Sequence, residues 1–271
     1  MTNVAAVQMV STDSVAENLE LAEKLITEAV SKQAKLVTLP ENFPLMGKED
    51  ADRQAIKEIL GRGPIQQFLS EQAEQQQIWL LGGTIPLESN NPDKVYPASL
   101  LFNPKGECVA HYNKIHLFDV LVDESSDESY RESDNFEPGN EVVVANTDIG
   151  NIGLSVCYDL RFPELYRKMH DDNVQIITAP SAFTATTGKT HWESLLRTRA
   201  VENLCYVIAS NQGGTHVNER ETWGHSMIVD PWGTILVSVE KGAGVAVADI
   251  NLKKQAKLRK MFPALEHRKI K

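Results

Sequence analysis

Short alternating apolar and polar runs alternate along this chain with longer stretches of helical repeat. "NVAAVQMV" reads as a strand. Ser14 and Glu17 then have the spacing of a capping box, opening a helix with Val15, Leu19, Ala22, Ile26 and Val30 on one face. "AKLVTLPEN" is a buried strand that ends in polar residues, "PIQQFLSEQAEQQQ" a helix, and "IWLLGGTIPL" a further strand. "YPASLLFNPKGECVAHYNK" has the form of a hairpin turning at Asn103 to Gly106.

The second half repeats the theme. "EVVVANTDIGNIGLSVCYD" predicts two strands around Ile149 and Gly150, and a helix follows Cys157 with Pro163 suited to its opening. "VQIITAPSAF" and "CYVIASNQ" read as strands on either side of the helix "HWESLLRTRAVENL". "HSMIVDPWGTILVSVEKGAGVAVADI" predicts a closing meander with a turn at Pro231 to Gly233. No low-complexity linker interrupts the pattern, so the expectation is one α/β domain over residues 1–271 with mixed sheets. Asp123 to Glu137 is the one long segment without a regular pattern. Loops of that length in compact domains tend to be functional or disordered, and we expect a lid.

Composition narrows the function classes. The chain has 271 residues, 42% hydrophobic and 24% charged, enough for a large core. A net charge of −10 repels phosphate backbones, which argues against a nucleic-acid partner. The acidic run "VDESSDESYRESDNFE" and the basic "LKKQAKLRK" and "EHRKIK" read as solvated surface. Three cysteines without a CxxC pair favour a reducing compartment over a disulfide framework. With no signal-peptide pattern and no run long enough to span a membrane, the expected location is the cytoplasm. His116, His216 and His225 lack metal-ligand spacing, and "LGGTIP" lacks a phosphate-loop pattern, so neither metal nor cofactor is expected. Cys108 and Cys205 read as packed strand residues.

Strands in α/β proteins present functional groups at their carboxyl ends. Glu41 follows "LVTLP", Lys114 follows "CVAHYN", and Cys157 follows "IGLSV". Each alone has an ordinary reading: a turn residue or cap for Glu41, a surface lysine, and a cysteine that is either packed or reactive. Together they supply a base, a cation and a thiol. Those are the parts for nucleophilic attack on an amide, with the ammonium holding the oxyanion.

"LPENF", "YNKIHLFD" and "VCYDLRFPELYR" resemble the three signature blocks of the nitrilase superfamily of carbon–nitrogen hydrolases, in the family's order and wide spacing. "APSAFTATTGKTHWESLLRTRAVENLCYVIASNQ" and "GHSMIVDPWGTIL" extend the likeness to the branch containing deaminated glutathione amidases and ω-amidases. The resemblance implies a four-layer α-β-β-α sandwich that pairs into a homodimer. It implies Cys157 as a nucleophile forming a thioester and Glu41 as the base that serves both half-reactions. Lys114 and the backbone N–H of Tyr158 would form the oxyanion hole. "YRESDNFEPG" resembles a further family block, which selects Glu132 as an auxiliary that orients Lys114 or positions substrate, with Glu137 as its competitor.

The partner is then a small-molecule amide. Arg161, four residues past Cys157, either grips a substrate carboxylate or braces Asp159 or Glu164. Thr186, Thr187 and Gly188 form a polar turn that either binds substrate or caps a helix. His191 and Trp192 read as pocket wall or core. The implied reaction hydrolyses the amide of deaminated glutathione, releasing ammonia, as metabolite repair. Alternatives are ω-amidase action on 2-oxoglutaramate, hydrolysis of N-carbamoyl amino acids and, more distantly, of nitriles. A non-catalytic binding relative is the alternative from a different class.

Overall fold

The computed structural model describes residues 1–49, 51–123 and 128–270. Two mixed sheets face each other. The first holds β1 (Thr2–Gln8), β2 (Ala34–Thr38), β3 (Trp79–Leu81), β4 (Ile85–Glu88), β5 (Val95–Phe102), β6 (Cys108–Asn113) and β15 (Gly244–Ile250). Its order is β15-β1-β2-β3-β5-β4, with β6 also on β5. The second holds β9 (Val144–Thr147), β10 (Gly150–Leu154), β11 (Ile176–Thr178), β12 (Tyr206–Ala209), β13 (Ser226–Val229) and β14 (Ile235–Val239), in the order β14-β13-β12-β11-β10-β9. In both, the central neighbours are parallel: β1-β2-β3 and β10-β11-β12.

The period-2 pattern sorts the core into layers. In β1, Val4 and Ala6 join the core that also contains Ile152, Leu154 and Ile176 of the other sheet. Ala5 and Val7 point the other way, toward α1 (Val15–Ser31) and α2 (Pro64–Gln76), through Ala22, Ile26, Leu69 and Ala73. Leu165 and Met169 of α3 (Pro163–Met169), with Leu196 and Ala200 of α4 (Glu193–Asn203), cover the second sheet. The result is the α-β-β-α sandwich. Each fully buried leucine, such as Leu69, Leu80 or Leu100, contributes roughly 2 kcal/mol.

Three local expectations are corrected and one is extended. Ala22 and Ile26 of the expected α1 face are buried and Val15, Leu19 and Val30 pack against the same core, with Asn18, Leu25 and Ala29 buried beside them. Asn18 belongs there because its amide donates to Thr12 O and Pro44 O and accepts from Thr12 N–H, bonds that hydropathy does not register. "IWLLGGTIPL" is two strands, β3 and β4, because the chain bends at Gly82 and Gly83. Gly83 has φ +50°, and a Cβ there would lie 2.0 Å from Pro40 O, so only glycine lets the segment before Glu41 nest against it. The final meander is divided: β13 and β14 stay in the second sheet, whereas β15 pairs antiparallel with β1 in the first. Cys108 is exposed on β6 rather than packed.

The acidic stretch is more regular than expected. β7 (Asp119–Asp123) and β8 (Glu128–Arg131) form a hairpin, followed by a 3-10 turn at Glu132–Asp134. Residues 124–127, at the start of the expected lid, lie outside the described residues. The basic segment near the end forms α5 (Leu252–Met261), and its Arg259 is not merely solvated but donates to Val174 O and Leu204 O. Among the described residues no helix is long and apolar enough to cross a membrane.

Candidate active site

Three chain segments deliver the strand-end residues to one place. Three residues past β2, Glu41 is held by a turn in which Asn42 N–H donates to Thr84 Oγ1 at 2.8 Å. Lys114 directly follows β6, and its backbone is clamped by Lys114 N–H to Pro97 O at 3.1 Å and Gly139 N–H to Lys114 O at 2.8 Å. Its side chain is fully buried and donates from Nζ to Glu41 Oε1 at 2.9 Å and to the Glu132 oxygens at 3.0 and 2.8 Å. Glu132 is aimed by Phe118 N–H, which donates to its Oε2 at 2.8 Å. The other oxygen of Glu41, Oε2, accepts from Ala182 N–H at 2.8 Å.

Cys157 sits at a sharp elbow three residues beyond β10, opening a 3-10 turn over Cys157–Arg161 before α3. Its φ is +48°, a left-handed conformation that costs a residue with a Cβ and that persists where surrounding structure imposes it. Its N–H donates to Pro180 O at 2.9 Å, and Asp159 N–H to Val156 O at 3.0 Å. The N–H of Tyr158 lies between them at the turn's start, where helical partners run out. The Cys157 thiol and the Glu41 carboxylate line the same pocket, close enough for each to act on the other's ionisation.

Asp159 fixes this elbow, and sequence reasoning gave it no such role. Its fully buried carboxylate accepts from Val156 N–H (2.8 Å) and Tyr112 O–H (2.7 Å) on one oxygen. The other oxygen takes His116 N–H (3.1 Å) and stands 2.7 Å from His116 Nδ1. One carboxylate thus ties the Cys157 turn to both flanks of Lys114. The only sequence signal was an acid two residues past the candidate nucleophile, close enough to fold back onto the N–H before it.

The charges follow from this packing. Burial pushes the Glu41 carboxyl upward, but the Lys114 ammonium outweighs it by charge and hydrogen bond, and the net position is below the ordinary glutamate value. Burial also works against the Lys114 charge, yet Glu132 and Glu41 overcome it and raise its pKa. For Cys157, burial and then the Glu41 charge raise the thiol well above the ordinary value, with Lys114 opposing. At rest the pair is a protonated thiol facing an ionised carboxylate. Cys205, by contrast, is buried on Val174 O and Asn203 O and pushed up to about 12, mainly by burial.

A narrow pocket opens onto these groups, lined by Glu41, Asn42, Phe118, Glu132, Cys157, Tyr158, Arg161, Ala182, Phe183, Thr184, Thr187 and Arg220. Thr187 is on the wall, whereas Thr186 is exposed and outside the lining. Thr184 caps the short turn by accepting from Thr187 N–H at 3.2 Å. Arg161 braces neither Asp159 nor Glu164. Its guanidinium lies 3.3 Å from His191 Nδ1 and over the Tyr158 and Phe183 rings, and forms no ion pair among the described residues. Trp192 is core, donating from Nε1 to His225 O. Glu137 is outside the pocket lining and accepts from Asn91 N–H. Arg220 is a wall residue that sequence reasoning missed, since nothing in "HVNERETWGH" separates it from surface charge. Among the described residues no three His, Cys, Asp or Glu side chains are grouped to hold a metal.

Known proteins resemble this chain in sequence and fold along nearly its whole length. The family described as carbon-nitrogen hydrolase matches residues 3–260. A deaminated glutathione amidase of Synechocystis sp. (strain PCC 6803 / GT-S) is 42% identical over 267 residues, 97% of each chain. The one from Homo sapiens is 38% identical over 270 residues, 98% of this chain and 82% of that one. The crystal structure of the C. elegans NitFhit protein superposes with a TM-score of 0.91 at 34% identity, covering 99% of this chain and 65% of that longer one. Saccharomyces cerevisiae Nit3, a member of branch 10 of the nitrilase superfamily, gives 0.87 at 31% identity, covering 99% and 97%. With the thiol, carboxylate and ammonium assembled on a matching sandwich and the family pattern running through nearly its full length, this chain belongs to the carbon–nitrogen hydrolase family.

Proposed function

We propose that the chain is a thiol amidase working through Glu41, Lys114 and Cys157. The observation that carries this is a single buried carboxylate, Glu41, hydrogen-bonded to the Lys114 ammonium and sharing one pocket wall with the Cys157 thiol. Because the thiol is protonated at rest, Glu41 takes its proton as Cys157 Sγ bonds to the amide carbon. The Lys114 Nζ and Tyr158 N–H hold the resulting oxyanion. The C–N bond breaks as Glu41 passes that proton to the departing amine, leaving a thioester on Cys157. Glu41 then deprotonates a water that attacks the thioester, and the proton returns to the sulfur as the acid product leaves. Glu132 orients Lys114 through its two contacts at 3.0 and 2.8 Å.

The substrate we propose is deaminated glutathione, the compound in the names of the relatives above. Arg161, on the pocket wall and without an ion pair among the described residues, supports binding of the 2-oxo acid carboxylate, and Thr187 on the same wall supports a hydrogen bond beside it. The departing group in that reaction is cysteinylglycine. Ammonia leaves only from a primary amide such as 2-oxoglutaramate, the substrate of the ω-amidase alternative. Both reactions release 2-oxoglutarate, so its formation compares them side by side. A higher kcat/KM for the tripeptide analogue is expected, and the reverse order moves the reading to ω-amidase. If neither is cleaved while Cys157 still reacts with a thiol reagent, the substrate assignment fails and the chemistry stands.

We further take the chain to be one domain that acts as a cytoplasmic homodimer. An apolar patch supports the pairing: Trp232 is 61% exposed and meets Phe262 edge-on at 5.8 Å, beside exposed Met261. Sedimentation equilibrium is expected to return twice the 30.1 kDa chain mass, and a monomer at micromolar concentration overturns the pairing.

A further inference from the structure

Arg220 is the second guanidinium on the pocket wall. It starts a segment that runs beside the wall, with Ala185 N–H donating to Glu221 O at 2.9 Å and Trp223 N–H to Phe183 O at 2.9 Å. Arg220 Nη2 donates to Ala182 O at 2.7 Å, and its carbon Cζ lies 4.8 Å from the centroid of the Tyr130 ring. Its Nε is buried without an acceptor, and the guanidinium forms no ion pair among the described residues. The Glu41 charge acts on this guanidinium without forming an ion pair with it, and the buried Nε still lacks an acceptor, so a donor is left for an incoming anion.

Its position says which anion. Ala182 gives its N–H to Glu41 Oε2 and its O to Arg220, so the two side chains flank one residue of the wall. Glu41 is the group that protonates the departing amine, so that amine leaves alongside Arg220. Arg161 is carried instead on the turn of Cys157, the acyl side.

We propose that Arg220 binds a carboxylate carried by the departing amine, so that the site selects amides of amino acids and peptides over primary amides. This rests on the amidase reading above. A planar guanidinium suits a carboxylate because it offers paired donors.

The test compares deaminated glutathione with its C-terminal carboxamide in the wild type, Arg220→Gln and Arg220→Lys, reading 2-oxoglutarate release. The wild type is expected to prefer the free acid by about tenfold or more in kcat/KM. In Arg220→Gln that ratio collapses toward unity, chiefly through KM, and Arg220→Lys recovers part of it. A wild type indifferent to the carboxylate, or a ratio unchanged in Arg220→Gln, overturns the proposal. If neither compound is cleaved, the substrate reading has failed, and a substrate-free measurement decides Arg220. That measurement is the ratio of iodoacetate to iodoacetamide alkylation rates, read by mass on the Cys157 peptide. A ratio lowered about fivefold or more in Arg220→Gln supports an anion site there, and an unchanged ratio removes it.

Discussion

Cys157→Ala is expected to keep its fold and lose amide hydrolysis by a factor on the order of 10⁴ or more, as nucleophile deletions do in enzymes that work by acyl transfer. The substitution removes one sulfur atom from a residue whose backbone is already held at φ +48° by neighbouring bonds, so little else changes. Glu41→Gln is the companion variant. It keeps the shape of the side chain, but an amide cannot receive the thiol proton, and loss of a general base removes about 10² to 10⁴ in rate. Alkylation of Cys157 should persist in Glu41→Gln, which separates loss of the base from loss of the nucleophile. Hydrolysis by Cys157→Ala within about tenfold of the wild type would assign the nucleophile elsewhere, and binding without hydrolysis in the wild type would favour the non-catalytic alternative.

Lys114→Met should abolish activity and destabilise the fold by about 3–5 kcal/mol, because breaking a buried pair leaves uncompensated charge. Two carboxylates, Glu41 and Glu132, then face each other without the ammonium between them. The pH dependence gives a sharper readout. In the wild type the Glu41 carboxyl sits below its ordinary 4.5, so its contribution to stability is complete above that value and fades as pH falls through the folded-state pKa. In the variant the strongest opposition to burial is gone and only the weaker effects of Cys157 and Arg220 remain, so the Glu41 pKa rises, its contribution is present below 4.5 and is lost as pH rises. Denaturant titrations should therefore show a gap from the wild type that is wide at neutral pH and narrower in acid. A gap that does not change with pH would mean that Lys114 is not what holds Glu41 ionised. The same charges predict a wild-type kcat/KM plateau from below pH 4.5, where Glu41 protonates, to above pH 9.0, where the thiol ionises.

How legible these residues were differs from one to the next. Glu41, Lys114 and Cys157 could be read because each closely follows a strand, and strands in α/β proteins present functional groups at their carboxyl ends. Glu132 was legible only through family resemblance, since its neighbours in sequence are as acidic as it is. Arg161 was legible as a choice between two roles, and among the described residues it meets His191 and two aromatic rings rather than the carboxylates expected of a brace. Asp159 was named only as a possible brace for Arg161; its real partners, Tyr112 and His116, come from a strand end more than 40 residues away.

Taken alone, the amino-acid order determined the alternation of strands and helices, the hairpin turning at Asn103 to Gly106, and the chemistry waiting at three strand ends. These are local properties, set by side-chain period and turn residues within a few positions. Only the tertiary structure decided that β15 crosses to pair with β1, that Gly83 makes room for Pro40, and that one buried ammonium joins Glu41 to Glu132. The reason is physical: period tells which face of a strand is buried, but not which partner will bury it. A partner 73 residues away, as Glu41 is from Lys114, is chosen by the packing of the whole sandwich.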